Sequence, residues 1–539
     1  MANQPDNVGI EETIYDTVII GGGIAGLTAA YMLRDKKLLL LEQEDRFGGR
    51  VLSEKVHEAT NNIGTQFFTV EDTSFVRLIK ELEVDWVTHD SKSVPVGVYV
   101  NNKLHTDMES VLGGKAKLSA LKLMSVTYRK MKIYKLPMTD PRWRKLVAKT
   151  IVEFQKGYDP DLMALVKIYM RGACVAKPER TSAGMGFVLT NDIFNTKNMG
   201  FVTGGFQKIT DALADKLDGK AVCGAGVTRV EENDGIVSTC YEKDGKEQVV
   251  KAKSAVVTVP PQAALKILPQ LPDWKKEALE KVHYGPITVV SVFLNRDIPW
   301  PRFFGHMSDG TIYQGIIDTT FNTEEDKNED NPIIYNFIIS IPPDEKKEIE
   351  AFFAKSDEEI IDLILKDFKK MMPEVDDVEK YITGSKVTRF PIGELELSPE
   401  YFLEALPDLA KPVGNIHFTG EYVEKKNFVD GACFSGMRVA CKLGSKYIIS
   451  EEDIIAFPKE PKWGAFGWAT MICNVLLLAG GFFLPTGYGT TLSIGAGLLL
   501  AFTAAFPFCF PPIKLIYKVL LGITIGFGGI IGLLAGLFG

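Results

Sequence analysis

At 539 residues the chain is longer than one hydrophobic core usually serves, so at least two packed domains are expected, enough to enclose a large cofactor. Its formal net charge of −8 argues against nucleic acid as a partner, because phosphate binding needs a concentrated basic face. Seven scattered cysteines without a C-x-x-C pair indicate neither a disulfide framework nor a zinc site, and no metal is expected.

The segment Met1 to Asp6 has no basic region leading into an apolar run, so no cleavable signal is expected and the globular part is placed in the cytoplasm. The first patterned unit is Thr17-Val18-Ile19-Ile20, a β-branched run that ends at Gly21-Gly22-Gly23-Ile24-Ala25-Gly26 and continues with Leu27, Ala29, Ala30, Tyr31 and Leu33 at helical spacing. Strand, tight turn and helix in this order predict a dinucleotide site. Gly21 permits the turn, Gly23 lets the backbone approach a pyrophosphate, and Gly26 lets the helix pack close to the strand. A second strand, Leu38 to Leu41, ends in Glu42, at the reach expected for a ribose carboxylate. Glu42 would accept hydrogen bonds from ribose hydroxyls and repel a 2′-phosphate, which disfavours NADP and leaves NAD or FAD.

The next residues, Gln43-Glu44-Asp45-Arg46-Phe47-Gly48-Gly49-Arg50, make the chain resemble the flavin amine oxidase superfamily, which also holds protoporphyrinogen oxidases and carotenoid desaturases. The resemblance implies that Gly48 and Gly49 let the backbone bend past FAD while Arg50 neutralises phosphate. Glu44 departs from the pattern, since amine oxidases often place an arginine there. Further segments follow in the family's order. Gly64, Thr65 and Gln66 resemble a segment beside the flavin ring, and Thr203-Gly204-Gly205-Phe206 the re-entry into the FAD domain. The strand around Val227 resembles the one whose backbone meets adenine, and Ala255 to Pro261 a strand ending in a Pro-Pro turn. Ile416 to Glu421 followed by Phe428 to Ala432 resembles the carboxy-terminal strand and helix of the FAD site. Gly420 and Glu421 are thereby implied at the ribityl or phosphate region, and Val429 to Ala432 at the pyrimidine edge, where helix-terminal N–H groups favour negative charge. No cysteine occurs in Pro391 to Glu394, so the FAD is expected to be noncovalent.

Only one dinucleotide site is supported, because Gly224-Ala225-Gly226 leads into a strand and lacks the third glycine. The resemblance gives an α/β fold in which a discontinuous Rossmann-like FAD-binding domain (residues 14–95, 199–282 and 391–450) is interleaved with an α+β substrate domain (96–198 and 283–390). In the substrate domain a lysine that amine oxidases place near flavin N5 falls at Val289 or Val290, which argues against their route to oxygen. Phe428 and Tyr422 are the pocket candidates, Phe428 standing where a tyrosine is frequent. Between Val111 and Thr150 the chain carries eleven Lys or Arg and one acid, Asp140. The basic residues from Lys115 to Lys145 alternate with apolar ones such as Leu118 and Trp143, a pattern that can lie against anionic headgroups.

After Lys462 the only charged residues are Lys514 and Lys518. Three apolar stretches, residues 465–484, 490–510 and 519–538, each have about the 20 residues a membrane-spanning helix needs. A membrane anchor over 463–539 is therefore expected after the α/β body. The lysines flanking it put the globular domain on the cytoplasmic side of an integral membrane protein. The leading functional expectation is hydride removal from a lipid-soluble isoprenoid, carotenoid precursor or porphyrinogen-like compound, with quinone or oxygen as acceptor. The alternatives are a flavin amine oxidase and a noncatalytic membrane flavoprotein.

Overall fold

The β-branched run ending at Ile20 lies at the centre of a seven-stranded sheet. The computed structural model describes residues 14–446 except 70–72, 91–93, 108–109, 174, 176, 196–197, 322, 324, 376 and 426. Strand Ile14–Ile20 pairs in parallel with Leu38–Leu41 on one side and Lys246–Val257 on the other. Ala221–Val222 extends the sheet beyond Leu38–Leu41, and Ile416–Phe418 joins Lys246–Val257, both in parallel. Parallel strands covered on both faces can be apolar throughout, and Val18, Ile19 and Ile20 are buried. Ile236–Lys243 and Gly226–Asn233 complete the sheet as antiparallel strands. Helix Ile24–Met32 is buried along its whole length, packed against helix Phe428–Lys442.

A second seven-stranded sheet has the order Ile382–Leu395, Tyr284–Leu294, Ile333–Ser340, Gly315–Asp318, Gly305–Ser308, Val96–Val100 and Lys103–His105. One face is covered by helix Asp357–Met371, whose Ile360, Ile364 and Phe368 pack with Val290, Val292 and Phe337. That helix is well specified locally. Ser356 and Glu359 form a capping box, acids fill its first turn, and Lys369 and Lys370 its last. The opposite face of the sheet carries Val289, Ile338 and Phe390 toward a cavity. Strand alternation explains the division, since neighbouring residues point to opposite faces.

Residues 96–198 of the α+β region supply helices Gly114–Tyr134, Pro141–Val147, Pro160–Ala173 and Ala183–Asn195. It begins, however, with two strands of the second sheet, and the alternating Val96, Val98 and Val100 account for this. A small third sheet joins Phe68–Thr69, Asn198–Val202 and Trp86–Asp90.

The expectation of an integral membrane protein is corrected here. Among the described residues no helix is long and apolar enough to cross a membrane. The longest, Gly114–Tyr134, has 21 residues but carries Lys115, Lys117, Lys122, Arg129, Lys130 and Lys132, charges that hydrocarbon would not accept. The three stretches at 465–484, 490–510 and 519–538 lie outside the described residues. Among the described residues the fold is an α/β Rossmann-like region with an α+β region and no transmembrane helix. The basic residues of 111–150 are in the main solvated, with Lys115, Lys117, Lys122, Arg129, Lys132 and Lys135 exposed.

Candidate active site

The carboxyl ends of the parallel strands open onto one large cavity, the position where open α/β sheets bind ligands. Its volume is about 2320 Å³. Small-molecule pockets are usually about 300–1,000 Å³, so there is room for a dinucleotide and a second molecule. Gly21, Gly23, Glu42, Gly48, Gly49, Arg50, Gly64, Thr65, Gln66, Val227, Gly420, Glu421, Val429 and Ala432 all line it, as do both pocket candidates, Tyr422 and Phe428. Residues more than 400 positions apart in the chain are thus brought to one edge.

Two predicted residues stand behind that edge. Gly22 donates its N–H to Glu42 Oε2 at 2.5 Å, and Glu42 Oε1 accepts from Glu44 N–H at 2.9 Å. Each carboxylate oxygen keeps a lone pair that a ribose hydroxyl could use. At Gly26 an added Cβ would lie 2.0 Å from the Gly21 carbonyl oxygen, so this glycine serves the close fit of helix on turn. Gly23 is the opposite case. A Cβ there would meet nothing within 4 Å, leaving an open cradle at the N-terminus of helix Ile24–Met32 where a phosphate can approach. The donor set and the cradle fit a pyrophosphate-containing cofactor.

Arg50 and Glu421 form the charged centre of the edge. Arg50 Nη2 lies 2.5 Å from Glu421 Oε1, and its Nη1 donates to the Gly393 carbonyl at 2.8 Å. Tyr284 donates its hydroxyl to the same Glu421 oxygen. Burial alone would raise the Glu421 carboxyl, but the Arg50 guanidinium and the two hydrogen bonds bring it below the usual carboxylate range. Burial likewise opposes the charge on Arg50, and Glu421 and Tyr284 more than restore it. The Arg50 side chain is 37% accessible, and it lines the cavity. Nearby Glu394, which accepts from Asn427 Nδ2 at 3.1 Å, is pushed up to about 7 by burial, with Glu421 reinforcing the shift and Arg50 opposing it.

Phe428 begins the helix Phe428–Lys442 with φ +67°, a left-handed conformation that a bulky residue adopts only when its surroundings impose it. Tyr422 is 1% exposed and its hydroxyl has no hydrogen-bond partner among the described residues. Of the two positions aligned with the amine oxidase lysine, Val289 lines the cavity, whereas Val290 packs beneath helix Asp357–Met371. Glu44 is exposed on the cavity rim, and Arg46, donating to the Phe47 and Gly49 carbonyls, also lines it.

Sequence reasoning missed Tyr284, Glu394 and His306. Tyr284 reaches Glu421 across 137 positions, and no local pattern marks it. His306 lines the cavity, is 3% exposed, and leaves both ring nitrogens without partners, so burial pushes it down to about 4. The chamber beyond the dinucleotide edge is lined largely by apolar side chains, with Asn191, Gln314, Ser340 and Thr388 among its polar ones. Helices Pro160–Ala173 and Ala183–Asn195 contribute Leu162, Leu165, Val166, Met185, Val188 and Leu189.

The family described as flavin containing amine oxidoreductase matches residues 24–444. The chain is 24% identical over 489 residues to a probable flavin-containing monoamine oxidase A of Dictyostelium discoideum, covering 81% of this chain and 99% of that protein. Its fold is similar to wild-type putrescine oxidase bound to putrescine, with a TM-score of 0.65, 20% identity and coverage of 80% and 99%. Cyclohexylamine oxidase from Brevibacterium oxydans IH-35A gives a TM-score of 0.65 at 17% identity with the same coverage. These relatives overturn the expectation of isoprenoid, carotenoid-precursor or porphyrinogen oxidation with a quinone acceptor. That expectation leaned on an anchor outside the described residues, on the missing lysine and on Phe428, whereas the relatives named above are amine oxidases over about four fifths of this chain. No cysteine lines the cavity among the described residues, which agrees with a cofactor held without a covalent bond. The chain belongs to the flavin containing amine oxidoreductase family and is an FAD-dependent oxidoreductase that holds its FAD noncovalently.

Proposed function

We propose that this enzyme is a flavin amine oxidase, removing two electrons from a carbon next to an amine nitrogen and passing them to oxygen. The observation that carries the reading is one continuous cavity with a charged dinucleotide edge at one end and an apolar chamber at the other, Phe428 standing among its walls. FAD bound along that edge supplies the two-electron acceptor. The chain's residues supply position and environment. In this reading Gly21, Gly23, Gly48 and Gly49 give the phosphates backbone room, Arg50 faces their charge, and Glu42 takes the ribose. Gly64, Thr65, Gln66, Val227, Gly420, Glu421, Val429 and Ala432 line the rest of the cofactor's path.

Arg50 is itself held by Glu421 and the Gly393 carbonyl, so it is oriented before any ligand arrives. The chamber's aliphatic side chains lower the local polarity, and such surroundings favour an amine in its neutral form, which has the free lone pair that oxidation requires. The apolar Val289 stands where amine oxidases place a lysine, so in this reading the reduced flavin meets oxygen without that side chain.

Anaerobic mixing of the purified holoprotein with a panel of primary and secondary amines tests the reading. Bleaching of the flavin absorbance by at least one amine, followed by recovery on admitting air, is expected. A flavin that dithionite bleaches but no amine does would sink it.

A further inference from the structure

The charged part of the cavity holds one acid more than its cation can serve. Glu421 and Glu394 both act on the Arg50 guanidinium, but its terminal nitrogens are engaged away from Glu394. Nη2 lies on Glu421 at 2.5 Å, and Nη1 donates to the Gly393 carbonyl at 2.8 Å. Tyr284 gives its hydroxyl to Glu421 as well. Glu394 is left with neutral donors. Asn427 Nδ2 donates to its Oε1 at 3.1 Å, the backbone N–H of Leu395 adds to this, and Oε2 meets no side-chain donor among the described residues.

The acid faces the cavity. Thr388, Phe390, Ile392 and Glu394 recur at every second position of strand Ile382–Leu395, and all four line it. The strand pairs with Tyr284–Leu294, where Thr388 stands opposite Val289 and Glu394 opposite Gly285. Asn427, which holds Glu394, directly precedes Phe428, whose left-handed backbone belongs to the same wall. Cations on the adjoining segments are committed. Lys425 donates to the Leu136 carbonyl at 3.0 Å, Arg389 to Asp357 at 2.5 Å, Arg180 is paired with Glu396 and Arg438 with Glu424. Burial raises the Glu394 carboxyl, and Glu421 reinforces the shift against Arg50, as expected of a carboxylate short of positive charge. A cation brought to Oε2 would restore the balance.

We infer that Glu394 is the counter-ion of the substrate's ammonium group and the acceptor of the proton that this group loses before oxidation. This rests on the amine reading and adds to it a seat for the incoming cation. One ammonium N–H bond breaks, its proton passes to Glu394 Oε2, and the electron pair stays on nitrogen, where it assists departure of hydride from the adjacent carbon to the flavin. A carboxyl that titrates at about 7 suits the task, since it takes the proton at neutral pH and gives it back afterwards.

A probe that binds as an amine but cannot be oxidised separates recognition from turnover. tert-Octylamine has no hydrogen on the carbon next to nitrogen, and tert-octyl alcohol is its uncharged isostere. Binding of each to the oxidised holoprotein is read from perturbation of the flavin spectrum. The amine should bind about tenfold more tightly at pH 8 than at pH 6, following the ionised fraction of Glu394, while the alcohol shows no such slope. In Glu394→Gln the slope should vanish and the amine should weaken about tenfold at pH 8, with the alcohol little changed. Flavin content and melting temperature check that the variant is folded. Glu424, which burial also pushes up to about 7, titrates in the same range, and Glu424→Gln should leave the slope in place. Should Glu394→Gln lose its flavin, that second variant still decides, because a slope it abolishes belongs to Glu424. Amine and alcohol binding alike, a parent profile without slope, or a slope that survives in Glu394→Gln would each overturn the inference. Turnover is judged separately: if no amine bleaches the flavin the amine reading fails, whereas bleaching by amines with no preference for tert-octylamine over the alcohol leaves that reading and removes Glu394 from it.

Discussion

The two ends of the cavity are built in opposite ways. At the dinucleotide edge the wall is largely backbone from a few contiguous turns, and its charged groups are satisfied by one another: Arg50 by Glu421 and the Gly393 carbonyl, Glu42 by the N–H groups of Gly22 and Glu44. In the chamber the wall is side chain, drawn from several separate segments. Buried polar atoms there lack partners, among them both nitrogens of His306 and the hydroxyl of Tyr422. A site that must grip a fixed, polar cofactor is specified by donors and acceptors. One that must admit an apolar frame is specified by volume and by what it keeps out.

The largest effect should come from breaking the satisfied edge. Replacing Arg50 by Met leaves Glu421 buried without its cation, and breaking one partner of a buried pair typically costs about 3–5 kcal/mol. The accessible Arg50 side chain places the loss near the lower figure or below it, because solvent in the cavity screens the remaining charge. Urea unfolding should show that loss together with a protein purified free of flavin. The double variant Arg50→Met/Glu421→Leu should be more stable than Arg50→Met alone, since both charges are gone. Equal stability of the two variants would mean that the pair is not what holds this edge.

The chamber should reveal itself through pH. His306 is pushed down to about 4 by burial from an ordinary 6.5, so between those values the unfolded chain binds a proton that the folded chain does not. Stability therefore rises with pH across that window, by at most about 3 kcal/mol. Glu394 and Glu424, both pushed up to about 7 by burial, act in the other direction: from their ordinary 4.5 upward the folded chain holds more protons, and stability falls as pH rises. The two trends overlap and partly cancel. His306→Phe should remove much of the rising part, leaving the smaller share of His89 and His417, which burial also pushes down, so that melting temperature between pH 4.5 and 7 falls relative to the parent as pH rises. A profile unchanged by the substitution would show that His306 titrates as if solvated and that the chamber wall is not closed around it.

How much of this could be read in the sequence follows the same division. The turn at Gly21 to Gly26, the Gly48-Gly49-Arg50 bend and the Gly420 to Ala432 segment are local, because backbone geometry at a turn depends on a few adjacent residue types. Their convergence on one edge followed from the family's order. Tyr284 and Glu394 could not be read this way, since their roles come from packing against Arg50 and Glu421, more than a hundred residues distant in three of the four pairings. The choice between Val289 and Val290 was likewise open until strand alternation in Tyr284–Leu294 fixed which one faces the cavity. The apolar stretches after Lys462 drew the functional reading toward lipid-soluble substrates. Composition there speaks only of that segment, and the chemistry belongs to the cavity in residues 20–432.

The smallest expected effects separate two glycines of one turn, and they sharpen the contrast between a wall that packs and a wall that receives. Gly26→Ala sets a methyl 2.0 Å from the Gly21 carbonyl oxygen, a backbone atom that cannot rotate aside, so the helix must slide or the turn must open. Overpacking of this kind typically costs about 1–3 kcal/mol. Gly23→Ala meets no atom within 4 Å, and φ −69° at that position suits alanine, so stability of the flavin-free protein should change by no more than about 0.5 kcal/mol. Its methyl instead occupies the space through which a phosphate approaches the helix N-terminus, and flavin affinity should fall. Titrating FAD into the two flavin-free variants beside their unfolding curves separates the outcomes. If Gly23→Ala binds FAD as tightly as the parent, the cradle is not where the phosphates lie. If Gly26→Ala unfolds with the parent, the close contact of helix and turn contributes nothing to holding the edge in shape.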